Sequence, residues 1–300
     1  MILAMVKTKN AEAMEDLLRG VSRSFYLSLR ILPVPVRKQI SLAYLLARAS
    51  DTVADTKAVS RDLRLDVLRR MQSGDFKSVP QLAAGQALPA ERMLLERLDE
   101  CAAALAALEP GDRALISGLL YTIISGQIAD LERFPESGSG PVVAIKDDAG
   151  LDDYTYLVAG CVGEFWTKIC AAHLSAFSAL EQQEMLGLGI RFGQGLQLVN
   201  ILRDMAADLR LGRCYLPLAQ PERLLDPAAF PEIAAAYQRW LDKALDHLDS
   251  GWRYALRVPR SLWRVRLACI WPSWIGLGTV ALMRRSNPLD PAQRVMVPQV

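Results

Sequence analysis

The sequence predicts an all-α protein, a single-domain helical bundle around a central apolar cavity. Three observations carry this. Apolar residues recur three and four positions apart in nearly every segment, whereas sustained alternation of period two is absent. The chain has 300 residues, 51% hydrophobic and 23% charged, enough to bury a sizeable core and outside the composition of disordered chains. No period of roughly 20 to 50 residues repeats, which excludes a solenoid.

The elements follow in order. The first helical run, Ala11 to Leu32, stops at Pro33 and Pro35, because proline cannot donate the helical hydrogen bond. A second run carries Tyr44 to Asp55. Pro89, Pro110 and Pro217 mark further boundaries. Pro135 to Asp153, with two prolines, three glycines and grouped acids, reads as a loop dividing the chain near its middle. Both halves are helical and no linker is of low complexity, so one domain is expected, residues 1–285, followed by a tail at 286–300. Leu267 to Met283 is uncharged over 17 residues. That is short of the roughly 20 needed to span a bilayer, and it contains Pro272, so a buried core helix is expected there.

Composition closes several functional classes. Lys plus Arg number 35 and Asp plus Glu 33, giving a net charge of +2 and no basic run, so nucleic acid is not an expected partner. Five scattered cysteines without a C-x-x-C pair fit a reduced, intracellular protein rather than a disulfide scaffold or zinc ribbon. Two histidines are too few for most histidine-based metal sites. The start of the chain has no secretory signal pattern. No glycine-rich nucleotide loop follows a strand; Gly187, Gly189 and Gly193 sit in helical surroundings.

The chemistry concentrates in two stripes. Tyr44, Arg48, Asp51 and Asp55 are spaced 4, 3 and 4, within about 60° of one another on a helix at about 100° per residue. Their neighbours Leu45, Leu46, Ala49, Val53 and Ala54 are apolar, so the stripe is expected to point inward or into a cavity. Inward like charges repel unless a cation sits between them. The plainer alternative is an ion pair of Arg48 with one aspartate. Asp62 and Asp66 share the spacing without the apolar setting and read as a solvated face. The second stripe, Gln197, Asn200, Asp204 and Asp208, covers about 80° amid Leu196, Leu198, Val199, Ile201, Leu202 and Met205. If the two faces oppose, four carboxylates and two amides line one cavity. Oxygen donors without histidine or thiolate suit Mg²⁺, which bridges carboxylates to substrate phosphates. Arg48, Arg203 and Arg213 could hold remaining phosphate oxygens as planar forks. An apolar cavity with such an end implies a hydrocarbon bearing a diphosphate.

The chain also resembles the squalene/phytoene synthases, all-helical head-to-head prenyltransferases of the isoprenoid-synthase type, over nearly its whole length. The resemblance rests on Ser22–Tyr26, Asp51–Asp55, Tyr154–Gly163 and Leu196–Pro217, in the family's order. The spelling Tyr44-x-x-x-Arg48-x-x-Asp51-Thr-Val-x-Asp55 is nearer the squalene branch, as is Ala268–Leu282. It implies condensation of two farnesyl diphosphates to presqualene diphosphate, followed by NADPH-dependent reduction to squalene. Release of presqualene diphosphate, or formation of dehydrosqualene or phytoene, is the alternative, and a non-catalytic scaffold is the third. By motif match, Asp51, Asp55, Asp204 and Asp208, with Asn200, would hold Mg²⁺. Ser22, Arg23, Phe25, Tyr44, Arg48, Gln197, Asn200, Arg203 and Arg213 would contact substrate. Tyr154 matches the tyrosine implicated in proton removal, although a neutral phenol is a poor base and released diphosphate is the other acceptor. The family's basic NADPH-contacting stretch is not evident before Val300, where members usually continue with another helix. A monomer or weak homodimer is expected, cytoplasmic, touching the inner face of the membrane to release a hydrocarbon product, although no basic amphipathic helix stands out.

Overall fold

The computed structural model describes residues 14–22, 25–136, 140–293 and 295. These are overwhelmingly helical, as the periodicity predicts. The chain divides into two compact units, residues 1–128 and 129–300. The division falls inside a helix, not at the Pro135–Asp153 segment where the sequence suggested it.

The first unit contains α1 (14–21), α2 (Phe25–Ile31), α3 (Val34–Asp55), α4 (Arg61–Gln72), α5 (Pro80–Ala84), α6 (Pro89–Glu96), α7 (Leu98–Ala106) and the start of α8 (Pro110–Arg133). Prolines set the starts. Pro33 is the extended N-cap residue of α3, and Pro80, Pro89 and Pro110 open α5, α6 and α8, where the missing N–H has no partner to lose. Ser60 caps α4 by accepting from the Leu63 N–H at 3.3 Å. One side of α3 buries Val36, Ile40, Leu42, Leu45, Leu46, Ala49 and Val53, which pack with α4, α6 and α7.

The second unit holds β1 (Val143–Ala144), α9 (Asp148–Thr155), a π-helical turn (Tyr156–Gly160), α10 (Cys161–His173), α11 (Ser175–Ser178), α12 (Gln182–Arg210), β2 (Arg213–Cys214), α13 (Phe230–Arg257) and α14 (Trp263–Met283). Val143 and Ala144 pair in parallel with Arg213 and Cys214, a ladder too short to leave a period-two signal. Asp147 caps α9 through the Gly150 N–H at 2.8 Å, so the segment expected to be loop as far as Asp153 is helical from Asp148. Helix α12 is the hub, packed against α10, α13 and α14. Two glycine contacts let backbones touch. A Cβ on Gly163 would lie 1.9 Å from the Gly189 carbonyl oxygen, and one on Gly193 would lie 2.2 Å from that of Ala159. The helical glycines are therefore a packing seam for α10 and the π turn, not a phosphate loop. All five cysteines are buried and free.

Helix α14 corrects the expectation of a buried core helix. Val265, Ala268, Cys269, Ser273, Gly276, Thr279, Val280 and Met283 are buried, whereas Trp263, Trp271, Trp274, Ile275 and Leu282 are exposed. Both faces are apolar, so the sequence carries no amphipathic signature by which the outer one could be recognised. A Cβ on Gly276 would lie 3.0 Å from a Leu248 methyl, which makes Gly276 a close-packing position against α13.

Candidate active site

The first aspartate pair sits at the C-terminal end of α3. Tyr44, Arg48 and Asp51 are partly buried and Asp55 is exposed, so the stripe opens toward solvent at its end. Burial, followed by the charge of Asp55, pushes the Asp51 carboxyl up to about 6, against the opposing effects of Arg48 and a hydrogen bond from Gln127. Gln127 Nε2 donates to Asp51 Oδ1 at 2.5 Å. Arg48 forms its ion pair with Glu91 of α6 rather than with an aspartate of its own helix. Tyr44 donates to the Val21 carbonyl at 3.4 Å. Asp62 and Asp66 are both exposed, as their setting predicts.

On α12, Gln197, Asp204 and Asp208 are partly buried and Asn200 is exposed. Leu198, Val199, Ile201, Leu202 and Met205 are buried around them. Arg203 and Asp204 form an ion pair at 2.5 Å. Arg213 leads into β2 and pairs with Asp130 of α8 at 3.2 Å. Thus Arg48, Arg203 and Arg213, the three arginines expected to meet phosphate, each hold a carboxylate of the protein. Such pairs keep the guanidinium in place and can exchange one anion for another.

Tyr154 lies in the last turn of α9, directly before the π turn, and is buried. Such turns are frequent at functional sites. Its ring stacks on Tyr215, with centroids 5.0 Å apart and planes 23° apart. The Tyr215 hydroxyl donates to Asp130 Oδ2 at 2.9 Å, and the buried Tyr154 hydroxyl lies beside it. Burial, then the neighbouring Tyr215 and Asp130, hold the Tyr154 phenol well above its usual range. Tyr154 is therefore a neutral phenol at physiological pH.

Ser22 is buried and donates to the Leu18 carbonyl, closing the end of α1. Arg23 lies outside the described residues. Phe25 opens α2, and its side chain lies outside them too. Four partners escaped the sequence reading: Glu91, Gln127, Asp130 and Tyr215. Gln127 and Asp130, polar and three apart within the apolar Ile123–Leu131, were the available signal.

The donor chemistry suits Mg²⁺. Among the described residues no three His, Cys, Asp or Glu side chains gather into a cage. Each aspartate pair would supply two carboxylates and leave the remaining positions to water and substrate oxygens, a donor set that Mg²⁺ accepts. At the first pair, a divalent cation would relieve the repulsion that raises Asp51.

A family model for squalene/phytoene synthase matches residues 18–300. A bifunctional lycopene cyclase/phytoene synthase of Sporisorium reilianum is 26% identical over 86% of this chain and 45% of its own length. The presqualene diphosphate synthase of Zymomonas mobilis is 28% identical over 70% of this chain and 61% of its own. This chain therefore spans about half the length of such curated relatives. Among solved structures, a squalene synthase, TcSQS, in complex with a ligand superposes with a TM-score of 0.78 at 21% identity, covering 97% of this chain and 82% of that one. That likeness shows the fold.

Proposed function

The chain belongs to the squalene/phytoene synthase family, a family of head-to-head prenyl condensation, and on that premise we propose that it joins two farnesyl diphosphates into presqualene diphosphate with Mg²⁺. The observation that carries the proposal is the Asp51–Asp55 pair one turn apart at the end of α3, where burial and then the charge of Asp55 raise Asp51 to about 6. Such a strained pair is unfavourable without a cation and supports a metal–diphosphate role. Bound Mg²⁺ supplies Lewis acidity to the leaving diphosphate. Asp51 and Asp55 would hold it at one motif, and Asp204 and Asp208, with Asn200 beside them, at the other.

The protein's own groups do the rest. Arg48, Arg203 and Arg213 stand ready to trade a carboxylate for diphosphate oxygen. Gln127 fixes the rotamer of Asp51. Tyr154, a neutral phenol stacked on Tyr215, would offer its oxygen lone pairs and its ring to developing positive charge, as aromatic faces do. A neutral phenol is a poor general base, so released diphosphate receives the proton lost on cyclopropane closure.

The spelling of the Tyr44–Asp55 motif supports a second reading, in which NADPH carries the intermediate on to squalene. The described residues form no glycine-rich strand-to-helix turn for a dinucleotide, and no residue is assigned to it. Purified protein with farnesyl diphosphate and Mg²⁺, with and without NADPH, followed by mass spectrometry, tests both readings. Presqualene diphosphate without NADPH is the expected product. Squalene on adding NADPH supports the second reading, and dehydrosqualene or phytoene assigns the alternative endpoint. Absence of any condensed product overturns the proposal.

A further inference from the structure

Among the described residues, nothing covers the outer face of α14. At about 100° per residue, Trp263, Leu267, Trp271, Trp274, Ile275, Gly278, Ala281 and Leu282 fall within about 120° of one another. Trp274 is 67% exposed, Ile275 53% and Trp263 51%, a concentration that isolated surface apolar residues do not produce. Two exposed arginines close the stripe, Arg264 near its start and Arg285 just past its end. The flanks are equally one-sided. Between Ser250 and Leu289 there are seven arginines and no acidic residue. All but Arg266 are exposed, with Arg257 paired to Glu184 and Arg284 to Asp242, which leaves Arg253, Arg260, Arg264 and Arg285 for an outside anion.

We infer that this face docks on an anionic lipid surface, with α14 lying in the plane of the interface. Its tryptophans would enter the headgroup boundary and its arginines would meet lipid phosphates. Tryptophan favours that boundary because one end of the ring is apolar and the other wet. Charge complementarity selects the partner: arginines flanking an apolar, tryptophan-bearing face are rewarded by anionic lipid. Spanning is excluded for this packing, although Arg260–Met283 is long and apolar enough by composition. The opposite face of α14 is committed to α13 and α12, with Gly276 against Leu248, so only one face is available to lipid. The inference is independent of the reaction, because it needs no substrate.

The test is flotation of the full chain with vesicles of phosphatidylcholine alone or mixed with phosphatidylglycerol. Binding is expected on the mixed vesicles, weaker on phosphatidylcholine, and weakened by salt. Trp271→Glu/Trp274→Glu should cut partitioning by more than about tenfold, since a charge at the boundary opposes insertion. Arg264→Gln/Arg285→Gln should flatten the salt dependence with little loss on phosphatidylcholine. Tyr121→Glu, at a 59% exposed aromatic on α8, is the control and should bind as wild type. Unchanged circular dichroism melting guards against misfolding, and the arginine pair provides the second route if the tryptophan pair fails it. Equal binding by wild type and both double variants overturns the inference. So does a dimer in sedimentation that Trp271→Glu/Trp274→Glu splits while wild type ignores vesicles, because the face then belongs to a second copy.

Discussion

Replacing Asp51 by Asn should stabilise the metal-free protein while abolishing its activity. A free aspartate titrates near ~3.9, whereas burial and the charge of Asp55 lift Asp51 to about 6. Between those values the folded chain keeps a proton that the unfolded chain releases, so stability falls as pH rises through the window. Above about pH 6 the deficit is complete. At about 1.36 kcal/mol per pH unit the gap corresponds to at most about 3 kcal/mol. Asp51 is only partly buried, so solvent screening lowers this to roughly 1–2 kcal/mol. Asn keeps the volume and still accepts from Gln127, and Arg48 keeps Glu91, while the new amide N–H donors can reach solvent at this partly buried position.

The assay is thermal unfolding followed by circular dichroism, without Mg²⁺. Near pH ~7.5, Asp51→Asn should raise Tm by roughly 3–6 °C. At pH ~4 the difference should vanish, since wild type is then protonated at Asp51 as well. Asp62→Asn, at an exposed position in the first turn of α4, should change Tm by no more than its small helix-dipole contribution of about 0.5 kcal/mol. A lower Tm for Asp51→Asn at neutral pH, or a gain that persists at pH ~4, would refute the reasoning from repulsion.

Condensation turnover should fall by orders of magnitude in Asp51→Asn and Asp204→Asn at saturating Mg²⁺ and remain near wild type in Asp62→Asn; a product-formation assay decides it. Mg²⁺ with a non-ionisable farnesyl diphosphate analogue should raise the wild-type Tm by mass action, by about 2.7 kcal/mol at a hundredfold excess over Kd, and leave Asp51→Asn less affected. Gly276→Leu should destabilise by about 1–3 kcal/mol through overpacking against Leu248, lowering both condensation and any reduction together, which urea unfolding and product ratios would read.

What the sequence made legible was local. Proline positions gave the starts of α3, α6 and α8, and the spacing of Asp51 and Asp55, and of Asp204 and Asp208, put each pair on one helix face. What it hid is of two kinds. Partners lay far away along the chain: Glu91 is 43 residues from Arg48, Gln127 is 76 from Asp51, and Tyr215 is 85 from Asp130. No period within one helix can reveal such a pair. The outer face of α14 was hidden for the opposite reason, because an apolar surface meeting solvent and an apolar surface meeting the core read alike in one dimension.

Tyr154 joins these two lessons. The motif located it, but only Tyr215 and Asp130 fix what its hydroxyl can do. With its own proton on Asp130, the Tyr215 hydroxyl can serve the buried Tyr154 proton only as an acceptor, which leaves the Tyr154 lone pairs for a developing cation. Tyr215→Phe removes that acceptor while keeping the stacked ring. The buried Tyr154 hydroxyl and Asp130 each lose a partner, at a cost of about 1–3 kcal/mol in stability. The freed proton can then point at the cation, replacing an attractive lone pair with a repulsive dipole, and the condensation kcat should drop by roughly ten- to a hundredfold. Tyr154→Phe should fall similarly, and the double variant should fall no further, because the two hydroxyls act as one unit. If the losses in the two single variants multiply in the double variant, Tyr215 acts on its own and the hydroxyl chain does not set the orientation of Tyr154.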